Sequence, residues 1–205
     1  MLELNKNVAP NRAGVFGQGD VYTWVAIDAD TKLVPSWLVG TRDAEYAGVF
    51  IRDLASCIKG RTQLTSDGHK AYLRAVEGAF GADVDCAMLV KLYGNAEGNQ
   101  QERRYSAGHC TGTITGAVSG DPDPAHISTS YVERQNLTMR MGMKRFARLS
   151  NGFSKKVENL EHTIAMHYMH YNFGRIQKTL RVTPAMQAGI SDHVWKLEEI
   201  AKLAN

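Results

Sequence analysis

Two carboxylates in this chain stand in contexts suited to metal-dependent phosphoryl chemistry. Asp67 lies in TSDGHKAY, where a short apolar run ends in a polar turn, and Glu133 lies in STSYVERQNLTMRMGMKRFARL, near the start of a basic helix. Cleavage of a phosphodiester by water or a 3′-hydroxyl is well served by two divalent ions about 3.5–4 Å apart that activate the nucleophile and stabilise the leaving oxygen. Hard ions such as Mg²⁺ take carboxylate oxygens as ligands. An Asp at a strand end and a Glu on a helix can therefore hold such ions from rigid elements although they are distant in sequence.

Both residues also have structural uses. Asp67-Gly68 is a common turn dipeptide, and its carboxylate can cap a helix beginning near His69. Ser130-x-x-Glu133 has the spacing of a capping box. His69, two residues beyond Asp67, is a candidate active-site neighbour.

The residues after Glu133 favour an anionic ligand. Between Arg134 and Val157 the chain carries seven cations, Arg134, Arg140, Lys144, Arg145, Arg148, Lys155 and Lys156, and no acid. Glu133, Asn136, Arg140, Lys144 and Arg148 recur three or four apart, which predicts one polar, basic helix face, while Val132, Met139, Met143 and Phe146 form an apolar stripe. Arg134, Asn136, Arg140, Lys144, Arg145 and Arg148 are thus the candidate DNA contacts. The net charge of +3 alone would not imply nucleic acid; the local excess is the signal.

Other metal chemistries fit less well. Cys57, Cys86 and Cys110 make no CxxC pair and are odd in number, which points to reduced thiols. His162, His167 and His170 share one predicted helix without a zinc pattern, so packing or hydrogen bonding is their expected use; His109, Cys110 and His126 form a weaker zinc candidate.

The elements that must position these groups follow from periodicity. With 205 residues, 43% hydrophobic and 22% charged, the chain can bury a substantial core. Residues 1–19 are expected to be a loop or stub. VYTWVAID and LVPSWLVG read as a hairpin, with Pro35 placing the second strand at a sheet edge. A helix capped by Asp43 and ended by Gly60 follows, then strand TQLTS, helix HKAYLRAVEGAF closed by Gly78 or Gly81, and strand VDCAMLVKLY. Residues 94–127 are rich in Gly and are expected to be an exposed insertion, with a small hairpin at TGTITGAVSG. Helices are then expected over Ser130–Leu149 and Ser154–Tyr171, followed by a basic turn, TPA and a C-terminal helix in SDHVWKLEEIAKL, within 191–205. No apolar run is long enough to span a membrane and no secretory signal is evident, so the expected location is the cytoplasm.

Taken in order, VYTWVAIDADTKLVPSWLVGTRDAEYA, LTSDGHKAY, STSYVERQNLTMRMGMKRF and HYNFGRIQKTLRVTPAMQAGI resemble bacterial insertion-sequence transposases of the acidic-triad (DDE) class, in the branch similar to insertion sequence one. The last segment is similar to the tail of integrase cores. The resemblance implies an α/β, RNase H-like mixed sheet flanked by helices over residues 20–190, with Asp67 as the second catalytic Asp and Glu133 as the catalytic Glu. It implies a two-metal site for Mg²⁺ or Mn²⁺, with Arg140 at a terminal-DNA contact. The partners it implies are transposon ends, target DNA, and a homo-oligomer or an upstream transposase fragment.

In that family the first catalytic Asp lies on the central first strand, upstream of the segment matching Lys6-Asn7-Val8, and no Asp precedes Asp20 here. The expectation is an N-terminally truncated transposase domain with its first strand missing or a stub, weak or inactive in DNA cleavage and strand transfer. The alternatives are a non-catalytic DNA-binding or transposase-interfering fragment, and an RNase H-like nuclease.

Overall fold

In a computed structural model the described residues are 2–4, 21–94, 110–146, 152, 154 and 156–203. The chain is mixed α/β and divides into two compact units, residues 1–46 with 130–205, and residues 47–129.

The first unit contains an antiparallel sheet in the order β1-β2-β3, of Leu2–Leu4, Val21–Val25 and Trp37–Gly40. The β2–β3 hairpin forms as the sequence predicts, and the start of the chain, expected as a loop or stub, carries a three-residue strand at Leu2–Leu4. Pro35 lies just before β3, where the ladder has already given way to isolated bonds from Ala26 N–H to Ser36 C=O and from Asp28 N–H to Leu33 C=O. Missing its own N–H, proline is tolerated at such a position. Asp28 turns the chain by accepting the Thr31 N–H at 2.9 Å, a local role at the start of the hairpin turn.

Helices Ser130–Gly142 (α3) and Val157–Met169 (α4) complete this unit's core. Val21, Val34 and Val39 of the hairpin region cluster with Met139, Met143 and Phe146, and with Leu160, Ile164, Tyr168 and Tyr171. Met139, Met143 and Phe146 of the predicted stripe are therefore core, whereas Val132 is only half-buried. Both helices are shorter than predicted. α3 gives way to a 3₁₀ turn at Lys144–Phe146, and α4 passes into a π-helical turn, His170–Gly174.

That π turn delivers Asn172 to the hairpin edge. Its Oδ1 accepts the Val34 N–H at 3.0 Å and its Nδ2 donates to the Val34 C=O at 2.9 Å. One amide side chain thus takes the place of a neighbouring strand at an edge whose backbone groups are buried. A short helix, Pro184–Gln187 (α5), follows, N-capped by Thr183, whose hydroxyl accepts the Met186 N–H. The last helix, Leu197–Lys202 (α6), is also shorter than predicted. Glu199 reaches back to the Lys196 N–H at 2.7 Å and fixes the helix start there, leaving Ser191–Trp195 outside.

The second unit takes most of α1 (Ala44–Cys57), then β4 (Thr62–Asp67), α2 (Ala71–Phe80), β5 (Val84–Tyr93) and β6 (Cys110–Ser119). Asp43 accepts the Tyr46 N–H at 2.9 Å and so starts α1 as predicted. Gly81, at φ +56, ends α2. β4 runs parallel to β5, and β5 antiparallel to β6, giving a three-stranded mixed sheet. The expected hairpin at TGTITGAVSG is instead this single ten-residue strand. Its Gly- and Thr-rich sequence has no apolar face because almost all of its side chains are exposed; its partner β5 supplies the order.

The corner after β6 is tied back by charge. Asp85 receives two bonds from Arg61, Nε at 2.8 Å and Nη2 at 2.6 Å, and accepts the Asp121 N–H at 2.7 Å. Gly120, at φ +68, has to be glycine here, since a Cβ would fall 2.2 Å from the Asp85 carboxylate. Gln63 adds a second tie, exchanging bonds with the Asp123 backbone at 2.9 and 3.0 Å.

The Arg61 bond, then the Asp121 N–H, hold the Asp85 carboxyl down at about 2. A lowered carboxylate pKa stabilises the fold above the ordinary carboxylate range and ceases to do so as pH falls through the folded value. The second unit should accordingly lose stability between about pH 4 and pH 2, and Asp85→Asn should remove that part of the dependence in acid-unfolding curves. An unchanged curve would refute the role.

Candidate functional site

Asp67 is the last residue of β4, paired with Leu89 in the parallel ladder, and its side chain is exposed. The carboxyl end of a parallel strand is where α/β sheets most often present ligand-binding groups. The Asp67 carboxylate accepts the His69 N–H at 3.2 Å, closing a turn at the strand end. It does not cap α2, whose N-cap is Lys70 without a side-chain bond. Gly68 permits the close passage of this turn over β5, because a Cβ there would stand 2.7 Å from Val90 Cγ2. His69 is half-buried and meets Tyr72 edge-on, with ring centroids 5.8 Å apart.

Glu133 lies in the first turn of α3, in the other unit, with an exposed side chain. A carboxylate in a first turn is favoured by the helix dipole. Arg134 and Arg140 are exposed on the same helix, and Lys144 is exposed on the 3₁₀ turn that follows. Arg145 is half-buried and donates from Nη1 to Ser154 Oγ at 2.5 Å, so one of its donors is committed to the fold. Arg148 lies outside the described residues.

Asn136 departs from the predicted basic face. It is buried beside Gln135 and Met139, while Leu137 and Met141 take exposed positions, at 55% and 80%. The departure follows from packing: Gln135, Asn136 and Met139 face the interior together, so the buried arc of α3 is wider than its apolar residues alone indicate. The exposed cations of α3 and its extension are then Arg134, Arg140 and Lys144, interleaved with two apolar side chains.

No family model, curated protein or solved structure matches this chain. Among the described residues, no group of three or more His, Cys, Asp or Glu is arranged to hold a metal ion. His109, of the weaker zinc candidate, lies outside the described residues, whereas Cys110 and His126 are exposed in the second unit. Cys57, Cys86 and Cys110 are free thiols, as their odd number and spacing suggest. Likewise, no helix among the described residues is long and apolar enough to cross a membrane.

Of the predicted helix histidines, His167 packs in the first unit. Its ring stacks on Tyr171 with centroids 6.4 Å apart, and meets Tyr168 edge-on at 5.2 Å. The sequence placed Asn172 in the segment similar to integrase-core tails but gave it no structural role. Nor did it assign a role to the three cations Arg175, Lys178 and Arg181, although a usable signal was there: from His162 to Ser191 the chain has no acid.

Proposed function

We propose that this chain is a transposase catalytic domain with an RNase H-like fold, performing metal-dependent DNA strand cleavage and transfer. The observation carrying the reading is the setting of Asp67: an exposed carboxylate at the carboxyl end of β4, a strand paired in parallel with β5 in a mixed three-stranded sheet. By the resemblance, Asp67 and Glu133 would each offer carboxylate oxygens to Mg²⁺ or Mn²⁺. The metal would activate the attacking oxygen and stabilise the leaving one. Arg134, Arg140 and Lys144 would hold DNA phosphates of the transposon end, and His69 would stand beside Asp67.

The test reads metal and DNA separately. Titration of Mn²⁺ followed by electron paramagnetic resonance should show binding by the parent protein. Asp67→Asn and Glu133→Gln should each weaken it by at least the roughly 10–100-fold that losing even an outer-shell partner costs. Divalent-dependent nicking of supercoiled plasmid should fall with it. Mn²⁺ affinity equal in the parent and both variants would refute the assignment.

A second reading is favoured by the exposed cations on α3, which require no metal to meet phosphate: the chain binds DNA, or a longer transposase, without cutting. Salt-sensitive DNA binding that persists in chelator, with no nicking, is its signature. Preference for branched DNA or RNA hybrids over transposon ends would instead indicate an RNase H-like nuclease.

A further inference from the structure

The turn from Arg175 to Arg181 combines a fixed backbone with unpaired positive charge. Both ends are tied to well-packed residues. On the entry side, Asn172 is bonded to Val34, and Phe173 accepts the Trp195 N–H at 3.0 Å while the two rings pack at 4.9 Å. On the exit side, Thr183, Pro184 and Ala185 are buried, and the Ala185 C=O accepts from the Ile190 and Ser191 N–H groups. Within the turn, Gln177 N–H donates to Val182 C=O at 3.0 Å and Arg181 N–H to Gln177 C=O at 2.8 Å. Arg181 adopts φ +63, an uncommon conformation for a side-chain-bearing residue.

Arg175, Lys178 and Arg181 are all exposed, and among the described residues none of them makes an ion pair. The neighbouring sequence offers no relief, since no acid occurs between Glu161 and Asp192. Three like charges in one short turn repel, a cost that a polyanion removes. The turn has no convergent buried donors of the kind that would coordinate one phosphate group. Its charges are spread along an exposed loop, which suits a chain of phosphates.

We propose that Arg175, Lys178 and Arg181 form a second DNA-backbone contact, separate from that of α3. It rests on the reading that the protein binds DNA, and deepens it by adding phosphates to the footprint. The contact is independent of sequence and of metal, because it engages phosphate oxygens rather than base edges.

The experiment measures affinity for a mixed-sequence duplex by fluorescence anisotropy across a salt series, in chelator. Each lost phosphate contact should reduce the slope of log K against log salt by about 0.9, so the triple variant Arg175→Gln/Lys178→Gln/Arg181→Asn should lose roughly 2.7. Asn is used at position 181 because it tolerates the left-handed backbone. Arg175→Lys/Arg181→Lys should keep the parent slope. Circular dichroism checks folding, and Lys178→Gln, at an exposed side chain, gives the same reading at about 0.9 should the triple variant unfold.

A parent slope retained by the folded triple variant or by Lys178→Gln, but reduced in Arg134→Gln/Arg140→Gln, would overturn the turn's role and leave the DNA reading standing. Absence of salt-dependent binding by the parent protein would overturn both. Equal affinity for polyglutamate would overturn the assignment of the turn to DNA.

Discussion

Asn172→Leu should lower the unfolding temperature of the first unit by roughly 10 °C, an effect unusual for loss of one side-chain amide. Asn172 satisfies both backbone groups of Val34, a residue only 3% exposed. Leucine shares the branching of asparagine at Cγ but is bulkier and has no donor or acceptor. It would leave a buried N–H and a buried C=O unmatched, at about 1–3 kcal/mol each. A total near 3 kcal/mol corresponds to several degrees per kcal/mol in a unit of this size. Tryptophan fluorescence reports the transition, since Trp24 is buried in the hairpin with its Nε1–H on the Thr41 C=O. Asn172→Asp keeps an acceptor for the Val34 N–H, loses the donor and introduces a buried charge, so it should be no better. A variant melting with the parent protein would show that the Val34 edge finds water instead.

The second large effect is a loss of first-unit stability on mild acidification, centred on His167. Burial, then the nearby charge of Arg175 and His170, presses its pKa down to about 4, and its Nε2 has no hydrogen-bond partner among the described residues. Unfolding restores a value near 6.5. Between those two values the unfolded chain binds a proton that the folded unit refuses. The stabilisation is complete above about pH 6.5 and is lost as pH falls through about 4. The full linkage would be about 3 kcal/mol, but the ring is only partly buried, and screening reduces the expected value to about 1–2 kcal/mol.

His193 acts in the opposite sense. Its bonds to Asp192 and Glu199 raise its pKa, so its contribution is present below about 6.5 and fades as pH rises. The comparison that isolates His167 is therefore urea unfolding of the parent and of His167→Phe at pH 7 and pH 4.5. The variant keeps an aromatic ring against Tyr171 and should have the flatter pH dependence. Equal dependence in the two proteins would refute the assignment.

Local pattern carried much of this fold in plain view. The β2–β3 hairpin, α1 with its Asp43 cap, β4, α2 and β5 all have a clear period and clear punctuation, and each forms where the sequence predicts it. β6 was not legible, because an exposed strand leaves no apolar alternation and its order comes from a ladder to β5. The ends of α3 and α4 were overextended for a related reason. Lys144–Phe146 and His170–Gly174 keep the spacing of a helix but form tighter and wider turns, which apolar periodicity does not distinguish. At the candidate site, Asp67 at a strand end and Glu133 in a first helical turn were both readable from flanking residues. Asn136 was not, because a polar side chain at a face boundary turns inward or outward according to what packs beside it.

The amide clasp between Val34 and Asn172 also bears on the order in which the chain can complete its units during synthesis. Its two residues are 138 positions apart. At roughly 5–20 residues per second, a ribosome needs about 7–28 s to make the second after the first. The second unit is continuous in sequence, whereas the first is split around it, so every residue of the second exists before the first can close. Throughout that interval the hairpin carries Val21, Val34 and Val39 without the α4 residues that cover them in the finished core. The nascent chain is thus most exposed to aggregation and to chaperones while residues 47–129 are being made, and slower translation there lengthens the exposure.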